Sequence, residues 1–158
     1  MVHNLVFKDG VGKLDVEVFS MKKKDILALL GSAIGGLVAA IPWILVYVFG
    51  NMIFSALAAL IAIGALFGYK LFKGTYFKQL PLIISLISVL IVTLVTLVII
   101  PLIELYRAGY VVSFENLSIL YTFDSFKSSI IKDYVVSLIF TFLGISGVIK
   151  NIKDNAEI

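Results

Sequence analysis

Two apolar stretches, residues 26–49 and 52–72, follow one another with only Gly50-Asn51 between them, and no charge interrupts either until Lys70 near the end of the second. Each is close to the ~20 residues that a helix needs to cross a ~30 Å hydrocarbon core. The pattern predicts a transmembrane helical hairpin with antiparallel arms, the second arm capped by Asn51. A third apolar run begins near Pro81 and extends to Tyr106. At ~1.5 Å per residue it reaches ~40 Å, so it must tilt, kink at Pro101 or protrude. A fourth run, Tyr134 to Ile149, is thinner; Ile130-Ile131 places its start near Ser125, with Asp124 or Ser125 as cap. The expected fold is an all-α integral membrane domain. Its four transmembrane helices lie at about 26–49, 51–72, 80–106 and 125–152, with a tight first hairpin and one longer, aromatic-rich outer loop over 107–133.

Ahead of the first span, Leu14-Asp15-Val16-Glu17-Val18 alternates, and Leu5-Val6-Phe7 is set off from it by Asp9-Gly10. That reads as a short cytoplasmic β-hairpin. A mobile tail is the other reading, because an isolated hairpin is marginal in water. The chain divides into an N-terminal segment (1–21), the membrane domain (22–153) and a short tail (154–158).

Composition narrows the class. Hydrophobic residues make up 61% of the 158, and mean hydropathy is +1.10, well above the roughly 45–50% apolar content of soluble domains. The net charge of +3 does not point to nucleic acid, since the basic residues flank helices instead of forming one patch. They set orientation: positions 8, 13, 22, 23, 24, 70, 73, 78, 150 and 153 fall on one side, and Arg107, Lys127 and Lys132 on the other. Ten against three predicts both termini in the cytoplasm of a cell-membrane protein. Lys22-Lys23-Lys24 could also attract anionic headgroups, although orienting the first span already requires them. No apolar segment precedes the first span, and none resembles a cleavable leader.

Small residues then suggest how the helices meet. Gly31, Gly35 and Ala39 form one row, and Ser32, Gly36 and Ala40 a second beside it. Together they make a flat face suited to close backbone approach. Ser55, Ala58, Ala62, Ala65 and Gly68 offer the matching face on the second arm. Pro42 should kink the first span, and Trp43 and Tyr47 suit an interfacial aromatic belt. In the third span Ser85, Ser88, Thr93 and Thr96 fall within roughly 140° of one another and face one side.

Catalytic chemistry finds little to use. There is no cysteine, and His3 is the single histidine, so neither a multi-histidine metal site nor a His-based triad can be assembled. No enzyme activity, cofactor or metal is expected. Glu104 and Arg107, three apart, read as an exposed pair of little energetic weight. Asn116-Leu117-Ser118 matches a glycosylation acceptor, a coincidence in a short, Lys-rich, cysteine-free chain of bacterial character.

Gly35-Gly36 through Pro42-Trp43, followed by the hairpin and Gly68-Tyr69-Lys70-Leu71-Phe72-Lys73-Gly74, resembles small multi-span membrane proteins of Gram-positive bacteria that are themselves uncharacterised. The resemblance implies a bacterial cell membrane and transfers no activity. Two roles follow from the residues. The first is a non-catalytic module embedded in the lipid bilayer, packing through its Gly/Ala faces against copies of itself or a larger membrane protein. The second is a permeation protein, in which Pro42 and the hydroxyl row of Ser85, Ser88, Thr93 and Thr96 line a path for a neutral or weakly polar solute.

Overall fold

The computed structural model describes residues 23–50, 52–76 and 79–156. Among the described residues all regular structure is helical, and the expected N-terminal β-hairpin lies outside them. Helix α1, Lys23–Gly50, runs without a break through Pro42. A 3-10 turn at Ser55–Leu57 leads into α2, Ala58–Leu71. Next come α3, Leu80–Leu94, a π-helical turn at Val95–Ile99, and α4, Ile100–Arg107, which together form one rod. A short α5, Phe114–Leu120, precedes α6, Asp124–Ala156.

Three stretches, Lys24–Gly50, Leu80–Arg107 and Asp124–Asp154, are long and apolar enough to cross a membrane, which marks the chain as a membrane protein. The second arm falls short of the expected spanning length. Its helical residues are Ser55–Leu71 only, because the joint is longer than Gly50-Asn51. Phe54 (φ −96°, ψ 78°) is not helical, and the first turn closes when Leu57 N–H donates to the Phe54 carbonyl at 3.0 Å. Phe54 holds the cap position of the 3-10 turn, with no side-chain hydrogen bond, and Asn51, the predicted cap, lies outside the described residues.

The described helices alternate in direction. Gly31 lies against Gly68 and Gly35 against Gly64, so α1 and α2 are antiparallel. Leu80 joins Ala28 and Tyr69 in one core cluster, while Val92, Val95 and Ile100 join Ala40, Trp43 and Tyr47 in another, so the α3–α4 rod runs parallel to α1. Helix α6 returns, with Ile130 beside the second cluster and Ile145, Val148 and Ile152 in the first. Trp43 and Tyr47 are buried, at 0% and 6% exposure. They fill the core instead of forming the expected interfacial belt, because α2 and the α3–α4 rod pack against α1 there.

Two chain reversals explain themselves locally. After α4, Tyr110 N–H bonds the Leu105 carbonyl and Gly109 N–H that of Tyr106, with Gly109 at φ +77°, the pairing of a Schellman motif. After α2 the same pairing recurs, Gly74 N–H to Tyr69 and Lys73 N–H to Lys70, with Lys73 at φ +55°. Gly74 follows that turn because a Cβ there would strike the Tyr69 ring and lie 2.7 Å from the Ala28 Cβ.

Pro101 lacks the N–H that would bond the Leu97 carbonyl in a regular helix. The Tyr121 hydroxyl, reaching in from the outer connection, donates to that carbonyl at 2.7 Å. Burial pushes the Tyr121 hydroxyl above its ordinary pKa, so it stays protonated as the donor. Its ring meets Phe126 edge-on at 5.6 Å. Helix α6 starts at Asp124, one residue from the predicted start near Ser125, and leaves a connection of residues 108–123.

Candidate functional site

The α1–α2 seam is the closest helix contact. A Cβ on Gly64 would sit 2.6 Å from the Gly35 carbonyl oxygen, one on Gly31 2.8 Å from that of Gly68, and one on Gly35 2.9 Å from the Gly68 Cα. Backbone touches backbone, which only glycine permits. The two small rows of α1 serve different neighbours. Gly31, Gly35 and Ala39 face Gly64 and Gly68, whereas a Cβ on Gly36 would meet the tip of Ile91 on α3 and lie 3.6 Å from the Ala65 Cβ. Ala58, Ala62 and Ala65 are wholly buried on α2. Gly64 and Gly144 were not among the predicted packing residues. Gly144 backs onto Ala59, where a Cβ would approach the Ala59 Cα to 3.0 Å.

Three hydroxyls of the predicted row bond back onto their own helix. Ser85 donates to the Pro81 carbonyl at 2.7 Å, Ser88 to Ile84 at 2.8 Å and Thr93 to Val89 at 2.8 Å. Thr93 also meets the Tyr134 hydroxyl at 2.9 Å. Ser88 and Thr96 are fully buried. A second such row runs along α6, where Ser137 and Thr141 donate to the Asp133 and Ser137 carbonyls. The side-chain polar atoms of Ser32, Trp43 and Thr96 are buried with no hydrogen-bond partner among the described residues.

Polar clasps close both ends of the bundle. At the end carrying the start of α1, Asp25 is 6% exposed and accepts from Thr75 N–H at 3.1 Å and Thr75 Oγ1 at 2.5 Å. The Tyr69 hydroxyl donates to the Thr75 carbonyl at 2.6 Å, and Lys70 Nζ to Asn151 Oδ1 at 2.7 Å. At the other end the Tyr47 hydroxyl donates to Glu104, and Arg107 donates to the Val48 carbonyl. Arg107 also lies 3.7 Å from Glu104 and 5.5 Å from the Tyr47 ring centre. The pair read as a bland surface feature therefore ties α4 to α1.

Two cavities flank these contacts. One, of about 370 Å³, opens beside Tyr47, Glu104, Ser129 and Asp133, at the end of the bundle that holds the Tyr47–Glu104 clasp. The other, of about 480 Å³, is an apolar groove along the outside of the α1–α2 seam, and Pro42 borders it. Neither is lined by Ser85, Ser88, Thr93 or Thr96. Among the described residues, no three His, Cys, Asp or Glu side chains gather as a metal site.

Comparison with family models, curated proteins and solved structures gives no match. The chain's own geometry is what bears on its role.

Proposed function

We propose that this chain is a non-catalytic, multi-pass accessory protein of the cell membrane, acting by helix packing against copies of itself or a larger membrane protein. The observation that supports it most is the closed interior: the α3 hydroxyls bond their own helix, and Ser88 and Thr96 are sealed in the core. A core closed in this way among the described residues points to the outer surface as the part that works. Because α1 and α2 use their glycine rows on each other, partners meet the larger side chains outside the seam, such as Leu82, Leu86 and Leu90, all exposed on α3.

In this reading Ser55–Leu71 makes the fourth crossing. At 1.5 Å per residue it covers ~25 Å, a mismatch that local thinning of the bilayer accommodates. The basic end, with Lys24, Lys70, Lys73, Lys150 and Lys153, faces the cytoplasm. The N-terminal segment and the C-terminal tail share that side. Single cysteines introduced as His3→Cys, Tyr76→Cys and Leu120→Cys test this, with only Leu120→Cys reacting with an impermeant thiol reagent in intact cells.

The outer cleft at Tyr47, Glu104 and Asp133 favours a second reading, a permeation or solute-binding role. Thr96→Val separates the two. For a packed module it removes a buried unpaired hydroxyl, so it leaves complementation of a deletion strain and co-purification of partners intact and raises stability by about 1 kcal/mol. A folded Thr96→Val protein that fails to complement would favour a path through the bundle.

A further inference from the structure

The groove outside the α1–α2 seam has a shape and a polarity. Its floor is the glycine seam at Gly35, Gly64 and Gly68, and its walls are side chains such as Val38, Ile63 and Phe67, each more than half exposed. It extends from Gly31 beside Phe72 to Pro42 beside Leu60. Eleven helical steps make that ~16 Å, which is about half of a ~30 Å hydrocarbon core. The groove is therefore as deep as one leaflet, the reach of a single acyl chain.

One end of it is basic. Lys73 follows Phe72 directly and is exposed; Lys24 stands seven residues before Gly31, hence on the same face of α1, and is exposed too. Asp25, next to Lys24 in the chain, is turned inward onto Thr75. Lys73 moreover holds a left-handed backbone at φ +55°, a conformation that favours glycine. Long lysine stems can lie along apolar surface while the ammonium reaches the headgroup layer.

We propose that this groove is the binding site for one anionic phospholipid, with an acyl chain lying on the Gly35–Gly64 floor and the phosphate held between Lys24 and Lys73. The inference rests on the membrane placement but not on the accessory role. Lipid selectivity and partner capture can therefore fail independently.

The test is native mass spectrometry of the full chain, delipidated in detergent and titrated with phosphatidylglycerol or phosphatidylcholine of identical chains. The wild type should retain one phosphatidylglycerol at least fivefold more strongly than phosphatidylcholine. Lys24→Gln with Lys73→Gln should abolish that preference while both lipids still bind weakly. Ile34→Trp, which fills the groove from an exposed wall position, should reduce retention of both lipids, and unchanged melting temperatures in the lipid-free state would show that the variants fold. Equal retention of the two lipids by the wild type, or a preference that survives the double lysine change, overturns the proposal. So does a dimer in which Phe67→Cys cross-links to its own copy, since a second chain would then occupy the groove.

Discussion

Along the α1–α2 seam Gly35 and Gly64 bring two backbones together, whereas between α3 and α6 the contact is made by side chains, with the Thr93 and Tyr134 hydroxyls 2.9 Å apart and Ile84 packed in one cluster with Ile145 and Val148. The first contact has no slack, because any added atom must displace a backbone. The second can adjust by rotating side chains. In a bilayer, where lipid is as apolar as leucine, close packing and hydrogen bonds replace the hydrophobic drive between helices. The bundle uses close approach in one half and side-chain interlocking in the other.

Substitutions at glycine should expose that difference most strongly. Gly35→Leu and Gly64→Leu should prevent the hairpin from closing, at a cost above the ~1–3 kcal/mol of ordinary overpacking, seen as loss of monodisperse protein in detergent. Gly36→Leu should cost less, since it meets the mobile tip of Ile91 and not only backbone. Gly147→Ala, with nothing within 4 Å and a helical backbone, should raise stability slightly, by roughly 0.4–1 kcal/mol. Equal melting temperatures across this series would remove the contrast between the two seams.

Next in size is the clasp at Asp25. Asp25→Ala strips both Thr75 donors of their acceptor and should lower stability by about 1–3 kcal/mol. Thr75→Val should cost a similar amount, and the double change little more than either alone. Additive losses would show that the two residues do not act through each other.

The smallest effect concerns Pro101. Tyr121→Phe should cost ~1 kcal/mol by removing the donor to the Leu97 carbonyl. In a Pro101→Ala background the restored N–H can serve that carbonyl, so the loss on Tyr121→Phe should shrink. A double-mutant cycle on thermal unfolding in detergent reads the coupling, and a zero value would mean that Tyr121 is not compensating for the proline.

Much of this was legible in the sequence. The apolar runs located three spanning helices to within a few residues, and the Gly31/Gly35/Ala39 row pointed at the contact face because its spacing is a helical period. What escaped has physical reasons. Periodicity could not distinguish a two-residue joint from the longer one ending at Phe54, so the second arm was drawn too long. Trp43 and Tyr47 fit an aromatic belt by position, but their burial depends on the α3–α4 rod, which lies far away in the chain. The same distance hid the Asp25–Thr75 and Tyr47–Glu104 clasps, each joining residues 50 or more apart. Gly64 stands four residues before Gly68, the small-xxx-small spacing of a packing face, so its signal was present in the sequence, whereas Gly144 has no small residue four positions away on either side.

The account depends above all on the small-residue faces of α1 and α2 meeting within one chain. Gly36→Cys combined with Ala65→Cys tests this most directly, because the native chain has no cysteine and the two Cβ positions lie 3.6 Å apart, within the ~3.5–4.5 Å of a disulfide. With a protease site placed between Met52 and Phe54, oxidation in native membranes should leave the two cleaved fragments joined until reductant is added. Fragments that separate without reductant, or a disulfide-linked dimer of uncut chains, would contradict it.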